Sequence, residues 1–323
     1  MNRVLVTGGA GFIGSNLVDR LLAEGIDVDA VDNLATGSLS NLSTARSQKR
    51  ARFSFHKLDI CDASFEEFVA KHRPEVIFHL AAQIDIRVSR ADPVADATSN
   101  ILGTLRVLEA SRKAGVGKVI YAASGGTLYS PGSPLPVRED AERRPVSHYG
   151  VSKAAGLMYL ELYRELYDLE FTAIALANVY GPRQDPTGEA GVVAIFGDAL
   201  LSGRECTIFG DGSQTRDFVY VDDVVDAFFR ASDQGGGHVL NVSTGVEITI
   251  EHVYRTLARL VSAPLPPRYA PARLDEVAHS SLDPSLAKLH IGWEPWTTIT
   301  VGLEATMKWM RTHLQGTDPL EFS

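Results

Sequence analysis

Tyr149 and Lys153, in the run Tyr-Gly-Val-Ser-Lys, place a phenol and an ammonium four residues apart, on one face of a helix. A free phenol titrates near about 10 and is a poor base at neutral pH. A neighbouring ammonium and an oxidised nicotinamide, both cationic, stabilise the phenolate and bring it into working range for taking a proton from an alcohol. The second cluster is Thr7-Gly8-Gly9-Ala10-Gly11-Phe12-Ile13-Gly14. Gly8 permits a tight turn, Gly11 lets the backbone approach a pyrophosphate, and Gly14 lets a helix pack close to a strand. Asp32 ends the next apolar run about 20 residues on, where a carboxylate meets a ribose 2′-hydroxyl. That carboxylate would repel a 2′-phosphate, and Asn33 and Leu34 follow it in place of an arginine. NAD, and not NADP, is the expected cofactor.

These groups need a scaffold, and the first half of the chain predicts one. Apolar runs at Val4–Thr7, Val28–Asp32, Phe53–Leu58, Val76–Leu80, Lys118–Ala123 and Phe171–Leu176 alternate with helical patterns at Phe12–Glu24, Ser64–His72, Val94–Ala114 and Tyr149–Tyr167. The pattern is that of an α/β fold, a Rossmann-type doubly wound parallel sheet. Beyond Asn178 it loosens: a helix is expected near Val192–Ser202, a strand near Thr207–Phe209, a helix at Val224–Ala231 and a strand at His238–Val242. Pro264–Pro271, with four prolines in eight residues, reads as loop. The expected division is a dinucleotide-binding domain over 1–177, to which 217–243 returns, and a smaller interleaved lobe from 178–216 and 244–323.

Composition narrows the classes. The 323 residues are 45% hydrophobic and 22% charged, which excludes collagen-like, disordered and coiled-coil chains. The 31 basic and 40 acidic side chains leave a net charge of −9 with no basic run, so no nucleic-acid surface is expected and any anionic ligand must be held locally. Cys61 and Cys206 are the two cysteines and have no metal-ligand spacing, so neither a disulfide framework nor a metal site is expected. No run of about 18 apolar residues predicts a membrane span. A cytoplasmic protein is the expectation.

The chain resembles the extended short-chain dehydrogenase/reductases, and within them the UDP-glucose 4-epimerase group, over nearly its whole length. The Gly8–Gly14 turn has that family's form. Asp59-Ile60 looks like its adenine-contacting pair, His79-Leu80-Ala81-Ala82-Gln83 like the segment lining the cofactor, and Asn100-Ile101-Leu102-Gly103-Thr104 like the helix behind it. The resemblance thus implies NAD contacts from Gly8, Gly11, Phe12, Ile13, Gly14, Asp32, Asn33 and these later segments. Tyr149 and Lys153 fall on its catalytic positions. Asn178-Val-Tyr-Gly-Pro-Arg-Gln184 and Phe209-Gly-Asp-Gly-Ser-Gln-Thr-Arg-Asp217 resemble segments that hold a UDP diphosphate, with Asn178 and Arg216 as contacts and Val193, Ile208 and Phe209 beside them. Arg273 and Glu276 lie where the family has an arginine and an acid near the nucleotide, although Leu274 and Asp275 replace the usual Pro-Gly.

One catalytic position stays open in sequence. The run Ala122-Ala-Ser-Gly-Gly-Thr-Leu-Tyr129 offers Ser124 as the active-site hydroxyl when counted from the strand. Counted back from Tyr129, Gly125 takes that place and Thr127 is the nearest alternative hydroxyl. Ser124 is preferred, as the last residue before two glycines loosen the backbone. Ala175-Leu176 stands where many relatives have Arg-Tyr.

The implied reaction is reversible epimerisation at carbon 4 of a UDP-hexose through a 4-keto sugar. Asn178 and Asp185 match the UDP-glucose/UDP-galactose pattern, whereas dedicated glucuronate epimerases tend to carry Thr and a basic residue there. Arg87 and Arg183 are two arginines that could meet a carboxylate, so UDP-glucuronate/UDP-galacturonate is the runner-up. A nucleotide-sugar 4,6-dehydratase needs an acid and a carboxylate base beside the active-site hydroxyl, where this chain has Gly125-Gly126. A non-catalytic NAD-binding regulator would lack the tyrosine or the lysine. The resemblance also implies a homodimer built on Val94–Ala114 and Tyr149–Tyr167, whose apolar faces by periodicity alone could equally cover the sheet. His148 reads as a surface histidine, and Trp293, Trp296 and Trp309 as packing anchors.

Overall fold

The computed structural model describes residues 1–187, 191–262, 265–272 and 277–315, with side chains through 313. Seven parallel strands form the central sheet in the order His238–Val242, Glu170–Leu176, Lys118–Ser124, Val76–His79, Arg3–Thr7, Asp27–Asp32, Phe53–Lys57. Helices cover both faces, so the inner strands are near-continuous apolar runs: Val4, Val6, Ile77, Phe78, Val119 and Ile120 are fully buried. The order reverses between Arg3–Thr7 and Val76–His79, which opens a crevice at the carboxyl ends of these strands.

The helix expected over Val94–Ala114 is interrupted. Pro93–Ala97 leads into a π-helical turn at Thr98–Leu102 and then into Gly103–Ala114. Wide turns of this kind arise where a side chain is recruited elsewhere, and Asn100 in that turn faces inward, 1% exposed. Gly103 lets the turn close on the sheet, since a Cβ there would stand 2.7 Å from Cδ1 of Ile60.

The smaller lobe has a three-stranded sheet of Asn178–Tyr180, Thr215–Tyr220 and Glu247–Thr249. The expected loop Pro264–Pro271 contains a strand, Arg268–Ala270, paired in parallel with Thr207–Phe209; Pro264 lies outside the described residues. Proline density misleads here because the three residues between Pro267 and Pro271 keep their N–H groups, and Arg268 donates to the Cys206 carbonyl at 2.8 Å. Ile250–Leu260 and Ile299–Gln315, absent from the sequence reading, are helices that pack on Val192–Leu201. Trp293 is fully buried and donates from Nε1 to the Asp223 carbonyl at 2.7 Å, whereas Trp296 is 56% exposed and donates from its main chain to the Asp223 carboxylate at 3.2 Å.

Asp217 staples the lobe to the sheet. Its carboxylate accepts from Thr244 N (2.8 Å), Thr244 Oγ1 (2.6 Å), Gly245 N (2.9 Å) and Leu282 N (3.3 Å). Asp217→Ala strands these donors out of water and is expected to lower the unfolding free energy by about 3 kcal/mol in a denaturant titration.

Candidate active site

Gly8 takes φ +69°, and a Cβ there would lie 2.8 Å from the Ala81 nitrogen. The glycine turn is therefore pressed beneath Leu80 and Ala81, whose amides bond Thr7 O and Thr7 Oγ1, each at 3.2 Å. The following helix, Phe12–Ala23, starts at Gly11 with no side-chain cap and no acid in its first turn. Its leading N–H groups and positive dipole end are left for an external anion.

Asp32 closes its strand 6% exposed, accepting from Ala10 N at 3.0 Å and Leu34 N at 2.8 Å. A carboxylate has further lone pairs, which two ribose hydroxyls can use and a phosphate cannot. Asn33 Nδ2 donates to Asp59 at 2.8 Å, so the two acids border one edge of the crevice. This uncapped helix, the glycine cradle and the doubly engaged carboxylate fit NAD. Purified protein is expected to carry NAD(H); recovery of NADP(H) in its place, assayed by chromatography of the released nucleotide, would refute that fit.

Lys118–Ser124 ends at the same crevice, and His148–Tyr167 lies across it. Ser147 caps that helix by accepting from Gly150 N at 3.0 Å, which fixes where Tyr149 emerges. Tyr149 is 9% and Lys153 4% exposed. Ser124 stands beside the Tyr149 hydroxyl; burial pushes the phenol up to about 12, and Ser124 works against that rise. Burial pushes Lys153 down to about 8. Its Nζ donates to the Ala122 carbonyl at 3.0 Å and sits 4.8 Å from the centre of the Tyr121 ring.

His79 lies behind this pair, bridging Thr7 (2.9 Å) and Thr104 (3.1 Å); burial and then Lys153 press it down to about 3, so it is a neutral strut. Thr127 turns back to the Ser124 carbonyl at 3.4 Å in the helical turn Gly125–Leu128. Ser124 is thus the hydroxyl paired with the phenol.

Other expected site residues are placed less directly. Asn100 is spent on the main chain of Gln83, accepting from its nitrogen at 2.9 Å and donating to its oxygen at 2.8 Å. Ile60, Val193 and Ile208 are buried in hydrophobic cores. Phe209 and Asn178 stand at the edge of the smaller lobe, with Asn178 exposed. Arg216 donates to the Thr215 and Val277 carbonyls, both at 2.7 Å. Arg183 is held by Asp19 at 2.5 Å and Arg87 by Asp85 at 3.2 Å. Arg273 and Glu276 lie outside the described residues. Asp96 and Ser152, which the sequence reading passed over, link Gln83 and Asn100 to the helix of Tyr149; their only local signal is the Asp96/Asn100 spacing of four.

A dinucleotide crevice bordered by a Ser/Tyr/Lys set defines a nicotinamide-dependent enzyme acting on a hydroxyl or its ketone. The chain belongs to the NAD dependent epimerase/dehydratase family, whose model matches residues 4–243. It is 50% identical to the UDP-glucose 4-epimerase of Mycolicibacterium smegmatis over 97% of this chain and all of that one. A UDP-glucose 4-epimerase of Thermotoga maritima, solved with UDP-glucose, superposes with a TM-score of 0.92 at 43% identity, covering 97% of this chain and 99% of the other. The Thermus thermophilus UDP-glucose 4-epimerase, solved with NAD, gives 0.87 at 39% identity, covering 96% and 99%.

Proposed function

We propose that this protein interconverts UDP-glucose and UDP-galactose by inverting carbon 4. The observation that carries the reading is the buried Tyr149/Lys153 pair, one helical turn apart with Ser124 beside the phenol, at the mouth of an NAD cradle. Full-length similarity to UDP-glucose 4-epimerases supports the choice of sugar. When bound, NAD supplies the site that takes and returns hydride at carbon 4, together with a positive ring charge.

The chain's own groups manage the proton. At about 12 the phenol of the unliganded protein is no base at neutral pH; the cationic ring and the Lys153 ammonium together favour the phenolate. Tyr149 Oη then takes the proton of the sugar 4-hydroxyl through contact with it, Ser124 holds the sugar oxygen, and the same phenol returns the proton once the 4-keto sugar has turned over. Asn178, Phe209, Arg216, Arg273 and Glu276 are the groups we assign to the UDP moiety. Leaving the sugar loosely held allows the turnover.

Two further observations support this reading over its relatives. Gly125 and Gly126 stand where a dehydratase needs its acid and its carboxylate base, and neither carries a side chain. Arg183, one of two arginines suited to a uronate, is already neutralised by Asp19. We also assign the protein a homodimer and a cytoplasmic location. An apolar stripe of Val94, Leu102, Val151, Met158 and Leu166, exposed along the two outer helices, supports the first, and two free cysteines support the second. No helix among the described residues is long and apolar enough to cross a membrane.

The direct test incubates the protein separately with UDP-glucose, UDP-N-acetylglucosamine and UDP-glucuronate without added NAD, and follows products by NMR. The expected outcome is an inverted carbon 4, formed fastest from UDP-glucose. A 4-keto-6-deoxy product, or faster inversion of the uronate, would overturn the assignment.

A further inference from the structure

Asp96, in the short helix Pro93–Ala97, is 1% exposed. Its Oδ1 accepts from Gln83 Nε2 at 2.9 Å and Asn100 Nδ2 at 3.1 Å, and its Oδ2 from Ser152 Oγ at 2.7 Å. All three donors are neutral, and among the described residues no cation lies within ion-pair distance of it. A buried carboxylate without an ionic partner is an expensive way to fill space that a neutral side chain could fill. The reacting pair supplies a reason. Lys153 follows Ser152 in the chain and is buried, and among the described residues its ammonium meets the Ala122 carbonyl and the face of the Tyr121 ring. Neither carries a full negative charge, whereas the field of Asp96 reaches both Lys153, where it favours the ammonium, and Tyr149, where it opposes the phenolate.

We infer that Asp96 is a positioning residue of the reaction: its buried carboxylate ties the Gln83 segment to the helix bearing Tyr149 and Lys153, and serves Lys153 as a remote counter-charge. This rests on the reading of Tyr149 and Lys153 as the proton-transfer pair. Asn100 holds both polar groups of the Gln83 main chain, so the carboxylate that orients Asn100 also sets the wall of the cofactor crevice. The other groups facing the pair are Ser124 from the strand end, Tyr121 from the strand beneath and His79, held neutral, from the neighbouring strand. Arg90 and His148 line a surface groove that Asp96 and Ser152 also line.

The test is Asp96→Asn, purified with its cofactor and read in two ways. In the pH profile of carbon-4 inversion, the acidic limb reports proton loss from Tyr149 and the alkaline limb proton loss from Lys153. A negative charge raises both, so its removal is expected to move both limbs down by about one pH unit. Turnover on the alkaline side should fall about tenfold. The second reading is the tyrosinate absorbance of Tyr149, isolated by subtracting the matching Tyr149→Phe protein, which should also titrate about one unit lower. This measurement needs no turnover, so it separates the fate of Asp96 from that of the epimerase assignment: a wild type that inverts no sugar fails the latter alone. Limbs and phenol titration unchanged in Asp96→Asn, with activity lowered uniformly across pH, would overturn the inference. If Asp96→Asn does not fold, wild type carrying 13C-labelled aspartate decides. Its Asp96 carboxyl resonance must step where Tyr149 ionises and lose that step in Tyr149→Phe, and absence of the step refutes the coupling.

Discussion

Tyr149→Phe is expected to reduce carbon-4 inversion by about a thousandfold while leaving the fold and the bound NAD in place. Only the hydroxyl is removed. The ring stays in a pocket where it is 9% exposed, so little packing is lost and the deficit should fall on turnover. Lys153→Ala should produce a loss of similar order by another route: the phenol, already up at about 12 in the unliganded protein, loses a cation that favours the phenolate. The pair also predicts a pH dependence whose sign is fixed. The base must be deprotonated and the lysine protonated, and burial has lowered Lys153 to about 8. Turnover should therefore decline as pH rises through the region above about 8, and the alkaline limb should be absent from what activity Lys153→Ala retains. Near-wild-type rates in both variants would remove this pair from the mechanism.

Gly14→Ala is expected to abolish NAD retention and to destabilise the whole domain. A Cβ at this position would stand 2.1 Å from the Gly8 oxygen, 2.9 Å from the Gly8 carbonyl carbon and 3.1 Å from Gly9 Cα. These are main-chain atoms of the cofactor turn itself, and no rotamer change relieves them. Either the Phe12–Ala23 helix moves off the sheet or the turn opens, and both destroy the spacing between the helix N-terminus and Asp32. The cost should be about 2–3 kcal/mol, in the range of overpacked cores. Nucleotide released from the purified variant should be at least tenfold below wild type by absorbance, and the thermal midpoint several degrees lower. Full occupancy at an unchanged midpoint would show that the turn tolerates a side chain.

Much of this was legible because the features are local. The glycine turn, Asp32 and the Tyr149/Lys153 spacing each sit within one strand–turn–helix or one helical turn, where residue type and period set geometry directly. The strands of the central sheet read clearly for the same reason: buried on both faces, they are unbroken apolar runs bounded by helical patterns. The Ile250–Leu260 and Ile299–Gln315 helices were not anticipated, and Arg268–Ala270 was hidden by flanking prolines although its own three residues pair normally.

Residue type and spacing are enough to specify that a dinucleotide turn precedes an acid-ended strand, and that a phenol and an ammonium share a helix face. Those relations need only the chain's local course. Long-range packing sets the surroundings of that pair. It turns Thr127 back onto the Ser124 carbonyl within Gly125–Leu128, where Leu282, more than 150 residues away, lies against Gly125. It decided that Arg183 faces Asp19, a pairing across 164 residues. It also decided that Asp96, unremarkable in sequence, is buried within reach of the reacting pair. Burial and charge proximity arise from packing between elements distant in the chain, and such pairings have no period to read.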